Sequence, residues 1–192
     1  MKRTFYTVVI GLVLAAIVHL LIVLLIPSYA TKDSWAKLEK LGEPWRFSIV
    51  ALPGASESLL PLVDPSFGIA ACRFDLTESP LSVEAHGNLP FWSVAIFDRR
   101  GRNIYSFNDR TSIDRHLFLI AVNSIQMAQI RKTPPAEAEK AVLVLSDTNQ
   151  GFVLIRALQP DPTWKKRLNR FLTEAKCERF DIVEEKTDPS DN

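Results

Sequence analysis

One stretch of the sequence concentrates the residue types that do chemistry. In DRRGRNIYSFNDR, residues 98–110, four arginines, two aspartates and two asparagines surround a single glycine. Asp98 and Asp109, with His116 a few residues further on, could serve as an acid and a base around an anion held by arginine. One hypothesis is therefore an exported hydrolase or sugar-active enzyme that uses these three residues.

The same stretch has the pattern of a β-hairpin. Asp98 and Gly101 suit the first and fourth positions of a type I turn with a left-handed glycine, between the apolar runs FWSVAIF and NIYSF. Both faces of FWSVAIF are apolar, which predicts a central strand rather than an edge strand. This interpretation assigns no catalytic residue and leaves four arginines as candidates for binding a ligand or a partner: Arg99, Arg100, Arg102 and Arg110.

Motifs for metals, nucleotides and nucleophiles are missing from the sequence. His86 and His116 belong to no HxH or HExxH pattern, and the two cysteines form no CxxC pair. Only seven glycines occur, with no phosphate-binding loop and no GxSxG motif among them. We therefore predict no metal and no cofactor.

An apolar segment near the N-terminal end precedes the predicted strands that carry these residues. Residues 8–26 are 19 residues without a formal charge, close to the roughly 20 that cross a bilayer as a helix. Lys2 and Arg3 precede the segment, and positive flanks stay in the cytoplasm, so the rest of the chain is predicted to be exported. Ser28 and Ala30 also allow a cleaved signal peptide, but the segment is longer than the roughly 7 to 15 residues of a signal-peptide core. We predict an uncleaved anchor.

The apolar segment carries one patterned face. Gly11, Ala15 and His19 are spaced four apart, so they share one side of a helix. Small residues let a second helix approach closely, and a polar group in a membrane seeks a protein partner. The face is either a helix-packing seam or part of a lone anchor with a neutral His19 near the outer boundary.

The charge and the cysteines of the predicted exported part indicate its partners and its compartment. Lys2 and Arg3 are the only charged residues before Thr31, which leaves 21 of the 23 basic and all 22 acidic side chains, a net charge of −1. A nucleic-acid partner would require a clearly basic face, so none is expected. Cys72 and Cys177 are predicted to form a disulfide in an oxidising compartment, with two buried thiols as the alternative.

Short strands follow the anchor. A juxtamembrane helix is predicted over residues 31–41, and the strands after it are bounded by Pro, Gly, Asn or Asp, which is typical of a sandwich or barrel. AVLVLS and GFVLIRAL are predicted to pair as antiparallel neighbours, after a short helix over residues 124–131. The other predicted strands are residues 46–52, 67–76, 81–85, 91–97, 103–107 and 117–122.

The last predicted helix begins at Pro162 behind an Asp161 cap and ends at Cys177, and its apolar face is predicted to lie in the core. The fold class is therefore mainly β, within α+β: an antiparallel β-sandwich-like exported domain with a C-terminal amphipathic helix, preceded by one N-terminal transmembrane helix. Residues 1–30 form the cytoplasmic stub and anchor, residues 31–183 the exported domain, and residues 184–192 a disordered polar tail.

The sequence also resembles a known family. FWSVAIFDRRGRNIYSFNDR, PSYATKDSWAKLEKLG, AACRFDL and GFVLIRALQPDP, with a helix ending in Cys177, resemble the short membrane-anchored bacterial proteins of domain-of-unknown-function family 1254. The resemblance implies a mainly β exported domain of alphaproteobacteria and their relatives. It also implies a companion protein that carries the domain of unknown function numbered 1214, and longer relatives look like fusions of the two. It supplies no catalytic residues.

The functional expectation follows from the anchor and this resemblance. We expect a non-enzymatic binding or assembly module of the bacterial inner membrane, single-pass, with a cytoplasmic N-terminus and a periplasmic main domain. The companion envelope protein is its expected partner. The alternative is the exported hydrolase or sugar-active enzyme that would use Asp98, Asp109 and His116.

Overall fold

A computed structural model describes residues 2–55 and 64–182 of the chain. The predicted disordered tail, residues 184–192, lies outside the described residues. Three α-helices and nine strands follow one another in the described part. In chain order they are α1 (Lys2–Leu41), β1 (Ser48–Ala51), β2 (Phe67–Asp75), β3 (Leu81–Ala85), β4 (Trp92–Asp98), β5 (Asn103–Asn108), β6 (Leu117–Val122), α2 (Ser124–Lys132), β7 (Val142–Leu145), β8 (Gln150–Leu158), α3 (Lys165–Glu174) and β9 (Lys176–Arg179).

The strands form two sheets that pack face to face. One sheet has the order β1-β2-β8-β4-β5, and the other has the order β7-β6-β3-β9. Every pairing is antiparallel except that of β6 with β7, which is parallel. This is the sandwich-like, helix-containing α+β fold that the strand pattern predicts.

The main core lies between the two sheets. On β4 the side chains of Trp92, Val94 and Ile96 are each only 1% exposed, because alternate residues of a strand point to one face. A disulfide joins Cys72 on β2 to Cys177 on β9. The predicted cysteine pair is confirmed, and it ties one sheet to the other.

The predicted place of Cys177 at the end of a helix is wrong. Helix α3 ends at Glu174, and the extended backbone of Ala175 (ψ 129°) turns the chain into β9. The apolar face of α3 is in the core as predicted, because Leu168 and Phe171 are buried. The side chains of α3 also leave no room for a Cβ at two glycines. A Cβ at Gly68 would lie 2.9 Å from Leu168, and one at Gly87 would lie 2.9 Å from Phe171.

The predicted antiparallel pairing of β7 with β8 is also wrong. Helix α2 crosses from β6 to β7, and a helical crossover returns the next strand parallel to the first. Met127 and Ile130 of α2 pack on the outer face of the four-stranded sheet, against Ile120 and Val122. Strand β8 instead enters the other sheet between β2 and β4.

Helix α1 is one uninterrupted element of 40 residues, so the separate helix predicted over residues 31–41 is joined to the N-terminal apolar segment. A proline removes one hydrogen bond of the helical ladder, and the helical backbone here continues through Pro27. Near its C-terminal end, Trp35 and Leu38 pack on the outer face of the five-stranded sheet with Phe152. At its other end, Lys2–Ile26 is long and apolar enough to cross a membrane, and all of its side chains are exposed.

Candidate functional site

The Asp98 carboxylate closes the turn between β4 and β5. One of its oxygens accepts hydrogen bonds from the backbone N–H groups of Arg100 and Arg102, at 2.8 Å each. The other oxygen accepts from Nε of Arg102 at 2.6 Å. Gly101 adopts the left-handed φ of 76° that the turn pattern predicts and donates its N–H to the Asp98 carbonyl at 2.9 Å. Asp98 is thus engaged within the turn.

This environment keeps Asp98 ionised. Burial raises the pKa of the carboxyl group, since its residue is only 2% exposed. The hydrogen bonds and the positive charge of Arg102, with the N–H of Arg100, outweigh burial and hold the pKa below its ordinary value of 3.8. A carboxylate with these partners holds no proton to donate near neutral pH.

The acid and base hypothesis fails on distance. Asp98 ends β4, whereas Asp109 lies beside Trp92 at the beginning of that strand, where its N–H donates to the Trp92 carbonyl at 3.1 Å. Trp92 and Asp98 are six residue steps apart along the strand, which is about 20 Å at 3.3 Å per residue. The two aspartates lie at opposite ends of the hairpin and cannot act on one bond.

His116 joins neither aspartate. One oxygen of the buried Asp109 pairs with Arg115 at 2.7 Å, and its other oxygen is buried without a hydrogen bond. Within residues 2–55 and 64–182, no hydrogen bond or ion pair connects His116 to Asp98 or Asp109. The three residues proposed for catalysis therefore do not form a site.

The four arginines flank β5, an edge strand of the five-stranded sheet. Among the residues that the structure describes, two of them have side-chain partners, and two do not. Arg99 donates to Gln150 at 3.2 Å and lies over the ring of Trp35, while Arg102 pairs with Asp98. Arg100 at the turn and Arg110 beyond the other end of β5 are exposed. Neither of their guanidinium groups has a hydrogen bond or ion pair with any residue of the described chain. These two are therefore the arginines free to meet a partner.

The face of the apolar helix that carries Gly11, Ala15 and His19 has no neighbour in the described part of the protein. Gly11, Ala15 and His19 are all exposed, and a Cβ added at Gly11 would meet no atom within 4 Å. The predicted helix-packing seam remains a prediction.

A cluster that residue spacing does not reveal lies on the outer face of the four-stranded sheet. Glu84, His86 and His116 each offer one ligand atom, and these atoms lie within 4.8 Å of one another. A Glu84 carboxylate oxygen is 3.5 Å from Nε2 of His86 and 3.5 Å from Nε2 of His116. The rings of the two histidines are in contact, with centroids 3.9 Å apart.

The antiparallel register of β3 and β6 assembles this cluster. Ala85 pairs with Leu117, so the next pair along the ladder brings His86 opposite His116. Glu84 lies two residues before His86 and therefore faces the same side of the sheet. Correct pairing of LSVEA with LFLIAV in the sequence was the one signal that could have revealed the cluster.

The His116 imidazole is suited to bind a metal rather than a proton. Burial lowers its pKa below the ordinary 6.5, and the nearby His86 lowers it further, while Glu84 and Asp114 act in the opposite direction. The ring is therefore neutral at pH 7, the form that ligates metals. Its Nε2 atom is buried and has no hydrogen-bond partner, because the 3.5 Å separation from Glu84 is not a hydrogen bond.

The surroundings of the cluster are open and irregular. Two consecutive residues before His116, Asp114 and Arg115, have left-handed φ values of 52° and 56°, which are strained for side chains with a Cβ. An open groove of about 810 Å³ runs past both histidines and is also lined by Glu139 and Lys140. Solvent therefore reaches His86 and part of the His116 ring, whereas Nε2 of His116 is covered.

Comparisons with known proteins locate the fold without assigning an activity. No protein-family model matches the chain, and no curated protein matches it either. The crystal structure of the VPA0106 protein from Vibrio parahaemolyticus is similar, with a TM-score of 0.60 and 12% identity over 86% of this chain and 40% of that one. An uncharacterized protein from Burkholderia cenocepacia has a TM-score of 0.49 and 14% identity, over 80% of this chain and 40% of that one. The chain spans about 40% of the length of both solved chains. The likeness to the Vibrio chain concerns the fold alone.

Proposed function

We propose that this protein is a non-enzymatic module of the bacterial inner membrane whose periplasmic β domain binds a companion envelope protein. The observation that carries the proposal is the helical segment Lys2–Ile26, whose apolar side chains are all exposed. A continuous apolar surface of this length is compatible with a bilayer core of about 30 Å. Lys2 and Arg3 favour a cytoplasmic N-terminus.

The disulfide supports export of the β domain. Cys72 and Cys177 are 105 residues apart in sequence and are bonded across the two sheets. Structural disulfides of this kind persist in the periplasm and are rare in the reducing cytoplasm. Because both cysteines follow the apolar helix, the domain that they close lies on the exported side in this proposal.

The outer edge of β5 is the proposed partner surface. Among the strands of residues 2–55 and 64–182 this one pairs only with β4, so one row of its backbone N–H and C=O groups is available for a further strand. The free cations of Arg100 and Arg110 flank the edge at its two ends, and Tyr105 between them is 41% exposed. A companion with an extended segment and acidic groups at each end of it would fit this surface.

The family resemblance supplies the identity of the proposed partner. It implies a companion protein that carries the domain of unknown function numbered 1214. This companion is the partner to test first.

Co-purification of the full chain with that companion in mild detergent tests the proposal. The double variant Arg100→Glu/Arg110→Glu should reduce recovery of the companion about tenfold or more, because it places repelling charges at both ends of the edge. Arg131→Glu/Lys132→Glu is the matched control, because both residues are exposed on α2, beside the other sheet, and this pair changes the net charge by the same four units.

The membrane seam is tested in the same assay. Gly11→Ile/Ala15→Ile fills the small-residue face of the apolar helix and should reduce recovery of the companion if the helices pack together. Recovery of the protein without the companion would contradict the proposed function. So would recovery of the companion by Arg100→Glu/Arg110→Glu and by Gly11→Ile/Ala15→Ile at the level of the natural chain.

A further inference from the structure

We infer that Glu84, His86 and His116 form a binding site for a zinc ion on the outer face of the four-stranded sheet. Two imidazoles and one carboxylate are a ligand set that binds Zn²⁺ in proteins. The three residues come from two strand ends, β3 and β6, whose register places them together. This inference is independent of the companion, because the cluster and the β5 edge belong to different sheets.

The two carboxylate to imidazole distances fit a tetrahedral ion, and the three ligand atoms lie within 4.8 Å of one another. With zinc to ligand distances of about 2.0–2.1 Å, two ligands of a tetrahedral site are about 3.4 Å apart. The Glu84 oxygen lies 3.5 Å from Nε2 of each histidine, so both carboxylate to imidazole edges already have this length. The two imidazole rings lie 3.9 Å apart and 36° from parallel, so the His86 ring must rotate to aim its lone pair at the ion. Its side chain is 69% exposed and has room to do so.

The ion would also give a partner to Nε2 of His116, which has no hydrogen bond. Nε2 of His116 is inaccessible to solvent and neither accepts nor donates a hydrogen bond, although the side chain as a whole is partly exposed. A buried unpaired nitrogen costs free energy, and coordination of a cation by its lone pair removes that cost. The carboxylate supplies one negative charge toward the divalent cation.

Three protein ligands leave a fourth position on the ion for another ligand, and the groove beside the two histidines can supply one. In zinc proteins this arrangement holds a water molecule or an exchangeable ligand rather than a closed structural ion. Glu139 and Asp114 add negative charge around the groove, and Arg115 and Lys140 add positive charge, so small anions and cations alike can approach. We assign the open position to an exchangeable water or a small anionic ligand.

Zinc affinity of the full chain tests the site. The protein is purified in detergent without a polyhistidine tag, freed of metal with EDTA, and titrated with Zn²⁺ in competition with a chromophoric chelator. Loss of an outer partner of a zinc ligand costs 10–100-fold in affinity, so loss of a ligand should cost about 100-fold or more. The test variants are His86→Ala, His116→Gln and Glu84→Gln.

The matched control is His19→Ala, since the chain has three histidines and the third lies in the apolar helix. The control should bind one Zn²⁺ with unchanged affinity. Because His86 is mostly exposed, His86→Ala tests the site without disturbing the fold. Equal affinity of this variant and the control, or no binding above that of EDTA-treated detergent alone, would overturn the inference.

Cobalt substitution tests the coordination geometry. Co²⁺ in the site should give the intense visible absorption of a tetrahedral ion, and azide should shift that absorption by entering the open position. His86→Ala should abolish the visible absorption. A weak octahedral spectrum, unchanged by azide and by this substitution, would contradict a three-ligand site.

Discussion

Cys72 on β2 and Cys177 on β9 are bonded across the sandwich, with their Cα atoms 6.5 Å apart, and they join the five-stranded sheet to the four-stranded one. Both residues are nearly inaccessible, at 1% and 2% exposure. The bond therefore closes a long loop through the centre of the core.

Removal of this crosslink should destabilise the domain strongly. Closure of a loop of 105 residues restricts the unfolded chain, so Cys72→Ala/Cys177→Ala should lower the free energy of unfolding by about 3–5 kcal/mol. Denaturant unfolding with and without reductant measures the loss. The reduced natural chain and the double variant should unfold alike, and an equal midpoint for the oxidised chain would contradict the structural role.

Asp98 should stabilise the turn in a pH-dependent way. Asp98→Asn keeps a backbone acceptor but removes the charge that pairs with Arg102, and we expect a loss of about 1–2 kcal/mol at pH 7. The folded pKa lies below the ordinary 3.8, so the contribution is present above that value and is lost as pH falls through the folded pKa. Unfolding curves of both proteins should therefore converge in acid. Asp147→Asn, at an exposed position, serves as the control and should change nothing.

Substitution of Gly151 by alanine should destabilise the protein more than the same substitution of Gly101. Gly101 has a φ of 76° with open space around its Cα, so Gly101→Ala should cost about 1–2 kcal/mol through backbone strain alone. A Cβ at Gly151 of the central strand β8 would lie 2.7 Å from the Phe74 ring and closer still to the Phe97 carbonyl oxygen. Gly151→Ala should cost about 3 kcal/mol or more, because packed backbone cannot move aside. Thermal unfolding of both variants gives the order, and a milder effect at Gly151 would refute the packing argument.

The orientation of the proposed membrane anchor should depend on Lys2 and Arg3, the charged residues before its apolar segment. Alkaline phosphatase fused to the C-terminus should be active, because that end is proposed to be periplasmic, while a cytoplasmic fluorescent reporter at the same place should stay dark. Lys2→Glu/Arg3→Glu should lower phosphatase activity by weakening cytoplasmic retention of the N-terminus. An active fluorescent fusion of the natural chain would reverse the proposed topology.

The arginines at the β5 edge should be dispensable for folding. Arg100 and Arg110 have no side-chain partner among residues 2–55 and 64–182, so Arg100→Glu/Arg110→Glu should shift the free energy of unfolding by less than about 0.5 kcal/mol. Arg102→Glu is the contrasting variant, since it places a carboxylate beside Asp98 and should destabilise the turn. A large loss with the double variant would mean that these residues serve the fold.

Local sequence determined most of the elements. The strand Leu81–Ala85 and the strand Leu117–Val122 have the predicted bounds, and the turn at Asp98 and Gly101 forms as its residues require. These features depend on alternation of apolar residues, on turn chemistry and on the length of an apolar run. Each is a property of neighbours in the chain.

Only the tertiary structure decided which distant residues meet. Strand β8 leaves β7 for the other sheet, because a crossover through α2 pairs β7 with β6. Asp98 and Asp109 are close in sequence but lie at opposite ends of a hairpin. His86 and His116, which are 30 residues apart, meet because β3 and β6 pair in one register, and a register is set by packing of the whole sheet rather than by spacing in the sequence.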